Sequence, residues 1–433
     1  MYSIAAALAL ATLPAQAEDA PPEGFWAAPI QRVTLRAVAA DEHDRPYSLP
    51  ARARELAGGI ALSCEYTEGR PCGDGAGLGS ELDSAAGFGG LLTAATRVRL
   101  WGGTDQFGHV LELDRAFLKL DYGYLRLQIG RDALSLGPAN RAALMVSRNA
   151  APQDGIRAQL RDLAPTSWLK INLFYFLDRL RDPQTFHGTL LDCTRAELDF
   201  FDHVRLGGSR LLQLGGEGAP DFGGFLGFIG EHFGRGRETA TSTAENNRLS
   251  FDLSARFTDL RVYYEIAFED TRHRFWNMLQ YDADHLLGLE VHARGSALYV
   301  ELEHTGWVSQ EHGTFRTGMT NAGRTLGSAL GPDGTSLWVR ADFTTGPLVL
   351  SPWAEWMRFV SDRYGSDEAR GVFVTARGPM EDRQRLGADL QAQLAPRWRL
   401  AAGAFAERIG NADLVPGARS HSLGARAALT FTP

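Results

Sequence analysis

The amino-acid sequence predicts an all-β fold, an 18-stranded antiparallel transmembrane β-barrel with a short N-terminal periplasmic extension. Runs of roughly 8 to 13 residues with alternating side-chain character recur from Gly58 to the carboxyl terminus, as half-buried strands require. Short and long connections between these runs take turns along the chain. After the N-terminal segment, no stretch is apolar enough to cross a bilayer as a helix, which excludes a helical membrane protein.

The N-terminal segment divides into two parts. Residues 1–17 have the pattern of a secretory signal peptide, because an apolar run at 4–13 precedes the small-x-small sequence Ala15-Gln16-Ala17. Residues 18–57 contain five prolines, and only 50–56 has a helical pattern, with proline at the first position. We expect 18–57 to be a periplasmic extension or partial plug and 58–433 to form the barrel.

Each predicted strand has two distinct faces. In 92–101, the apolar Val98 and Leu100 share one face while Arg97 and Arg99 share the other. A wide barrel accommodates this pattern because its lumen is polar and its outer wall is apolar. Alternation would also fit a soluble sandwich, so it does not decide the fold class.

The connections decide it, because short turns on one rim and long loops on the other are typical of outer-membrane barrels. Closure also satisfies every backbone hydrogen bond where lipid offers no partner. The short turns are predicted at 87–90, 121–123, 163–166, 202–203, 258–259, 295–296, 345–346 and 395–396. The long segments are predicted at 67–78, 102–108, 131–154, 179–190, 215–246, 271–283, 306–333, 361–383 and 410–417, which leaves 18 strands.

Aromatic residues near predicted strand ends are candidates for the girdles that flank the apolar band of such barrels. Packing in a core is the alternative for any one of them. These candidates are Trp101, Trp168, Tyr175, Phe176, Trp338, Trp353, Trp356 and Trp398.

Charge and cysteine content exclude several classes of protein. The net charge of −8 is spread along the chain without a basic block, so no nucleic-acid partner is expected. Cys64 and Cys72 flank a short segment and are predicted to pair in an oxidising compartment, although three unpaired thiols remain the alternative. No spacing of histidines and cysteines suits a metal, and no cofactor is predicted. No catalytic motif is present, so we expect no enzyme; a barrel lipase or protease stays open because its residues need not be adjacent.

Two long connections have unusual content. The connection within 130–155 contains the apolar stretch 142–146, and we expect it to fold into the lumen or pack on itself and so narrow the pore. The connection within 215–237 combines phenylalanines with carboxylates, a composition that suits sugars because rings stack on their apolar faces and acids accept their hydroxyls. An ordinary loop with a small apolar core is the alternative. The candidate ligand residues are Arg131, Asn140, Asn149, Asp154, Glu217, Asp221, Phe222, His232, Asp270, Trp276 and Trp307.

The stretch LGGSRLLQLGGEGAPDF at 206–222 resembles the signature of the Wzi family of outer-membrane capsule assembly proteins. Supporting similarity lies in 131–155 with its Gly137-Pro138 step, in YYEIAFED at 263–270 and in GPDG at 331–334, so the resemblance covers roughly residues 58–433. Two features depart from the family. Ser135 and Leu136 stand where members carry tryptophans, and 18–57 is too short for their periplasmic helical bundle.

The resemblance implies an occluded, lectin-like barrel in the bacterial cell outer membrane that anchors capsular polysaccharide at the cell surface without catalysis. Its implied partners are capsular or other surface polysaccharide, outer-membrane lipid and periplasmic capsule-export components. The expected ligand surface comprises the extracellular loops 131–154, 215–246 and 306–333. The alternative is an outer-membrane diffusion porin, which an open conductance would distinguish.

Overall fold

The protein closes into one barrel. The structure, a computed structural model, describes residues 24–45, 49–57, 65–104, 108–220, 245–269, 275–367 and 371–433. Eighteen strands within these ranges pair antiparallel in chain order, and the last pairs with the first. The predicted fold class and strand number are therefore confirmed.

The strands are numbered in chain order. The first nine are β1 Phe25–Asp41, β2 Gly75–Phe88, β3 Leu92–Gly103, β4 His109–Tyr122, β5 Leu125–Asp132, β6 Gln153–Thr166, β7 Leu169–Arg179, β8 Leu190–Phe200 and β9 Val204–Leu214. The remaining nine are β10 Glu245–Phe257, β11 Leu260–Glu269, β12 Asp284–Ala293, β13 Ser296–His304, β14 Gly334–Thr345, β15 Leu348–Val360, β16 Met380–Ala395, β17 Trp398–Gly410 and β18 Arg419–Phe431.

Elements outside the barrel wall are short. Helix α1 is Ala51–Ala57, helix α2 is Phe275–Asn277 and continues as a π-helical turn at Met278–Asp282, and a 3-10 turn lies at Ala412–Leu414. Two small hairpins pair Thr320–Asn321 with Arg324–Thr325, and Arg363–Asp367 with Gly371–Ala376; we call the second the outer hairpin. Within the described ranges, none of the helices has the length and apolarity needed to cross a bilayer.

All eight predicted short turns are present, each within a few residues of its expected place, and they define the short-turn rim. The opposite, long-loop rim carries the long connections. In β3 the expected faces are confirmed, because Arg97 and Arg99 are buried inside the barrel whereas Val98 and Leu100 are exposed on its outer wall. Period-two alternation therefore separates lumen from outer wall as predicted.

The prediction of an N-terminal extension over 18–57 is wrong for β1. Phe25–Asp41 lies between β2 and β18, where Leu35 pairs with Ser80 on one side and with Leu429 on the other. Without β1 both neighbours would be unpaired edges, which a membrane does not tolerate. Pro29 hid the strand, because it sits at a register shift between Ala28 and Arg32 where proline is accommodated.

The chain after β1 belongs to the long-loop rim and not to the periplasmic side, because β1 ends beside the start of β2. In this connection the predicted helix at 50–56 is confirmed as α1. Arg45, Leu49 and Ala53 are fully buried, so the described part packs inward as a partial plug would. The strand expected from Gly58 falls at 58–64, outside the described residues.

Exposed aromatic side chains gather at the short-turn rim, as expected of an interface girdle. They are Phe25, Phe88, Tyr122, Tyr124, Trp168, Phe201, Phe257 and Trp398. Of the predicted girdle residues, Trp168 and Trp398 are in this set. The prediction is wrong for Trp101, Phe176 and Trp338, which alternation turns inward and which are buried. Trp353 also faces inward, beneath the guanidinium of Arg385.

The lumen is filled by the connection between β5 and β6, residues 133–152, which we call the plug loop. Its Leu136, Leu144 and Val146 pack with wall residues including Phe176 and Leu211 in one buried apolar cluster. A backbone bridge between Leu136 and Val146 shapes the loop. The expectation that this apolar stretch folds into the lumen is confirmed.

Ion pairs hold the plug loop and the neighbouring chain at 65–74 in place. Arg141 of the plug loop contacts Glu355 of β15, and its Nη2 lies 2.9 Å from Glu65. Glu68 accepts a hydrogen bond of 2.6 Å from Arg115 of β4. The nearby arginines hold the pKa values of Glu65 and Glu68 near 2 despite burial, so both carboxylates are charged.

Candidate functional site

Aromatic and acidic side chains from three connections meet at the long-loop rim. We call Tyr281, Asp282, Trp307, Asp333 and Tyr364 the rim cluster. The Trp307 and Tyr364 rings stack, with centroids 5.0 Å apart and planes 28° apart. Tyr281 meets the Tyr364 ring nearly edge-on at 6.1 Å. The rings come from the π-helical turn, the connection between β13 and β14, and the outer hairpin.

Hydrogen bonds from two carboxylates fix these rings. Trp307 Nε1 donates to Asp282 Oδ1 at 2.6 Å, and the Trp307 backbone N–H donates to the Tyr281 carbonyl at 3.0 Å. The Tyr364 hydroxyl lies 2.9 Å from both carboxylate oxygens of Asp333. Burial raises the pKa of Asp333 to about 6, and it also raises the pKa of Tyr364. The rings are thus pre-organised, which lowers the entropy cost of binding.

A second aromatic pair extends this surface outward. Phe275 and Trp276 form an edge-to-face pair at 5.2 Å and are 59% and 77% exposed. Asn277 joins this turn to the outer hairpin, because its Nδ2 donates to the Val372 carbonyl at 3.1 Å. The exposed pair and the rim cluster together form what we call the aromatic rim surface. Exposed aromatic area of this kind marks an interaction site.

The chemistry of this surface suits a neutral or hydroxyl-rich ligand. Aromatic faces stack on apolar ligand faces, and the half-buried carboxylate of Asp333 can accept a hydroxyl proton. Asp282 is buried and holds Trp307 instead. Across the described ranges, no group of three or more His, Cys, Asp or Glu side chains is placed to hold a metal ion. The arrangement therefore supports binding through stacking and hydrogen bonds.

The structure distributes the predicted ligand residues over several places. Trp276 and Trp307 lie in the aromatic rim surface. Asn149 is fully buried inside the barrel, and its Nδ2 donates to Thr325 Oγ1 at 2.8 Å. Asn140 lies in the plug loop, with its backbone N–H donating to Glu301 Oε1 at 2.8 Å.

Arg131 and Asp154 pair across β5 and β6 on the outer wall, through bonds of 2.7 and 2.6 Å. The aromatic rim surface therefore does not include Arg131 and Asp154. Glu217 is exposed in the connection that follows β9, and its backbone N–H donates to the His187 carbonyl at 2.8 Å.

Several predicted residues fall outside the described residues, namely Asp221, Phe222, His232, Asp270 and Cys64. The Cys64–Cys72 bond therefore stays a prediction, whereas Cys193 is a free, buried cysteine. Sequence reasoning missed Phe275, Tyr281, Asp282, Asp333 and Tyr364 as individual residues. The density of aromatic residues in FWNMLQY at 275–281 was a usable signal for Phe275 and Tyr281.

Comparison with known proteins relates the chain to one family. The family model for capsule assembly protein Wzi matches residues 57–422. Among solved structures, Wzi from Escherichia coli, described as an outer membrane, carbohydrate-binding β-barrel involved in group 1 capsule assembly, aligns with a TM-score of 0.66 at 16% identity. That alignment covers 94% of this chain and 85% of the other.

Two barrels of Pseudomonas aeruginosa are also similar in fold. The outer membrane protein OprD aligns with a TM-score of 0.53 at 10% identity, over 95% of this chain and 94% of its own. OpdQ aligns with a TM-score of 0.51 at 11% identity, over 94% and 98%. No curated protein matches the sequence. The closed 18-stranded barrel fits an integral outer-membrane protein. The family match spans most of the chain, and the chain belongs to the Wzi family of capsule assembly proteins.

Proposed function

We propose that this barrel binds capsular polysaccharide at the cell surface through the aromatic rim surface and anchors the capsule without catalysing a reaction. The observation that carries the proposal is the Trp307–Tyr364 stack, which Asp282 and Asp333 hold in place at the extracellular rim. Family membership supports the same reading, because the Escherichia coli Wzi protein is described as carbohydrate-binding.

The strength of anchoring would come from repetition. A single ring–sugar contact contributes little, but a polymer presents the same unit many times to an array of barrels. Avidity can then exceed the affinity of one site by about two to four orders of magnitude. A single substitution is therefore expected to weaken the binding of isolated repeat units more clearly than it reduces the amount of capsule that cells retain.

The porin alternative is not favoured. A diffusion channel needs a water-filled lumen, whereas the plug loop buries Leu144 and Met145 against the barrel wall. The expected conductance of the wild-type protein in a planar bilayer is therefore negligible. Periplasmic capsule-export components and general contact with outer-membrane lipid stay predicted partners.

The test replaces Trp276 and Trp307 by alanine in one variant. We expect cells carrying it to release capsule into the medium, and purified barrels to bind oligosaccharide repeat units of their own capsule at least tenfold more weakly, because two stacking faces are lost. The matched control is Trp168→Ala, which removes an exposed tryptophan at the opposite rim. Undiminished binding by a correctly folded double variant would refute the proposal.

A further inference from the structure

A row of polar side chains crosses the outer wall next to the long-loop rim. It runs over β11 to β15 and consists of Tyr264, His285, His304, Thr335 and Arg358, which we call the outer polar row. The strand register places His285 opposite His304, His304 opposite Thr335, and Thr335 opposite Arg358. The residues that alternate with them face the lumen and are buried.

Contacts within the row hold its rings and hydroxyls in a fixed order. Tyr264 Oη and His285 Nδ1 lie 2.7 Å apart, and His304 Nδ1 lies 3.1 Å from Thr335 Oγ1. The two imidazole rings are stacked, with centroids 6.3 Å apart and planes 19° apart. Such order on an exposed wall indicates a built feature and not scattered surface polarity.

Arg358 ends the row with unused hydrogen-bonding capacity. Its guanidinium carbon lies 4.9 Å from the Trp356 ring centre, which orients the group. Among the described residues, Arg358 bonds to a carboxylate through Nε alone, at 3.1 Å from Asp382 Oδ1. The side chain is 42% exposed, so its Nη groups are accessible from the outer wall.

The position of the row matches the boundary of the bilayer. Strand β13 has 9 residues, Ser296–His304. At about 3.4 Å per residue and a tilt of about 40°, it spans about 23 Å, close to the apolar band of about 25 Å in such barrels. Leu287, Leu302 and Leu337 lie on the same wall, each two positions closer to the short-turn rim than the residue of the row on its strand. All three are exposed. The row therefore lies where headgroups of the outer leaflet begin.

We propose that the outer polar row binds the phosphate of an outer-leaflet lipid. The Nη groups of Arg358 are charged donors to phosphate, and the Thr335 hydroxyl lies beside them. His285 orders the row without donating to the ligand, because its Nε2 bonds to the Leu279 carbonyl at 2.8 Å and its Nδ1 bonds to Tyr264. His304 and Arg358 stand two strands apart, about 10 Å, a span that their side chains can bridge around one phosphate group. The acyl chains of the same lipid would pack on the exposed leucines beneath.

Another outer-wall arginine provides a matched control. Arg131 on β5 also lies towards the long-loop rim, but Asp154 engages both its Nε and Nη2. Its charge is compensated within the protein, so the same reasoning assigns it no lipid phosphate.

The experiment measures lipid retained by delipidated barrels in mixed micelles, using native mass spectrometry. The lipids are phosphatidic acid, phosphatidylcholine and diacylglycerol with identical chains, and a parallel arm adds inorganic phosphate alone. We expect preferential retention of phosphatidic acid, reduced about tenfold in the variant His304→Gln/Arg358→Gln because the guanidinium donors of Arg358 and the ring of His304 are lost. Arg131→Gln should behave as the wild type does.

Equal retention of diacylglycerol, or an equal loss in Arg131→Gln, would overturn the proposal. So would competition by millimolar inorganic phosphate, because the ligand would then be the free anion. If the double variant does not fold, the wild-type barrel still gives the answer through diethyl pyrocarbonate labelling of His304. Its ring should be less reactive in mixed micelles that contain phosphatidic acid than in mixed micelles that contain diacylglycerol, and equal reactivity in the two would refute phosphate binding.

Discussion

Replacing Arg141 by methionine should loosen the plug loop while the barrel stays closed. Arg141 bonds to both carboxylate oxygens of Glu355 and reaches Glu65 at 2.9 Å. The Glu355 side chain is 1% exposed, so the substitution leaves a buried carboxylate without its main partner. Glu65 keeps Arg45 and Arg385 as ion-pair partners and is affected less.

The magnitude follows from what remains around Glu355. Breaking a buried ion pair costs about 3–5 kcal/mol. Arg385 still lies 3.3 Å from Glu355, and the Ser336 hydroxyl still donates to it at 2.8 Å, so the lower end applies. A cost of about 3 kcal/mol corresponds to an increase on the order of a hundredfold in the open population of the loop.

Hydrogen exchange of the folded barrel in detergent measures this population. Backbone bonds of the plug loop, such as Leu136 N–H to Val146 and Ser147 N–H to Leu326, should lose about a hundredfold protection. Removing both charges with Arg141→Met/Glu355→Gln should restore most of it, because no buried charge is then left unpaired. Wild-type exchange in the single variant would refute the reasoning, and a double variant as open as the single one would assign the loss to packing instead.

Two further predictions concern the plug core and the rim. Leu144→Ala should lower the free energy of unfolding by about 2–5 kcal/mol, because it leaves a cavity in the filled lumen. The control Leu302→Ala, on the exposed outer wall, should lower it far less. Equal losses of the two variants in urea titrations would contradict a packed lumen. Burial raises the pKa of Asp333 to about 6, above its ordinary value of 3.8, so the state with the outer hairpin docked binds the proton more tightly than the undocked state. Docking of the outer hairpin should therefore become stronger as the pH falls from about 7 to about 4. Hydrogen exchange of the outer hairpin, corrected for intrinsic rates, should show this dependence and Asp333→Asn should abolish it; pH-independent protection in the wild type would count against the burial argument.

The family resemblance and every strand of the barrel except the first were accessible from the sequence because their signals are local. Alternation with period two and the regular exchange of short turns with long connections need only neighbouring residues to be read. The plug loop was also predictable, since an apolar stretch such as 142–146 cannot remain in water as part of a long connection. The hidden first strand was not, because Pro29 and its register shift broke the local pattern.

The girdle prediction failed for Trp101 and Trp338 because it rested on their position near strand ends and not on their face. In β3 the charged residues Arg97 and Arg99 mark the face that turns into the lumen, and Trp101 shares that face.

The sequence by itself determined that this chain is a barrel, where all of its strands except the first lie and which connections are long, because these properties depend on residues close together along the chain. The tertiary structure alone decided the ligand surface, since Tyr281, Trp307 and Tyr364 come from three separate connections. Contacts between distant connections depend on where closure brings the strand ends, and no local pattern encodes that position.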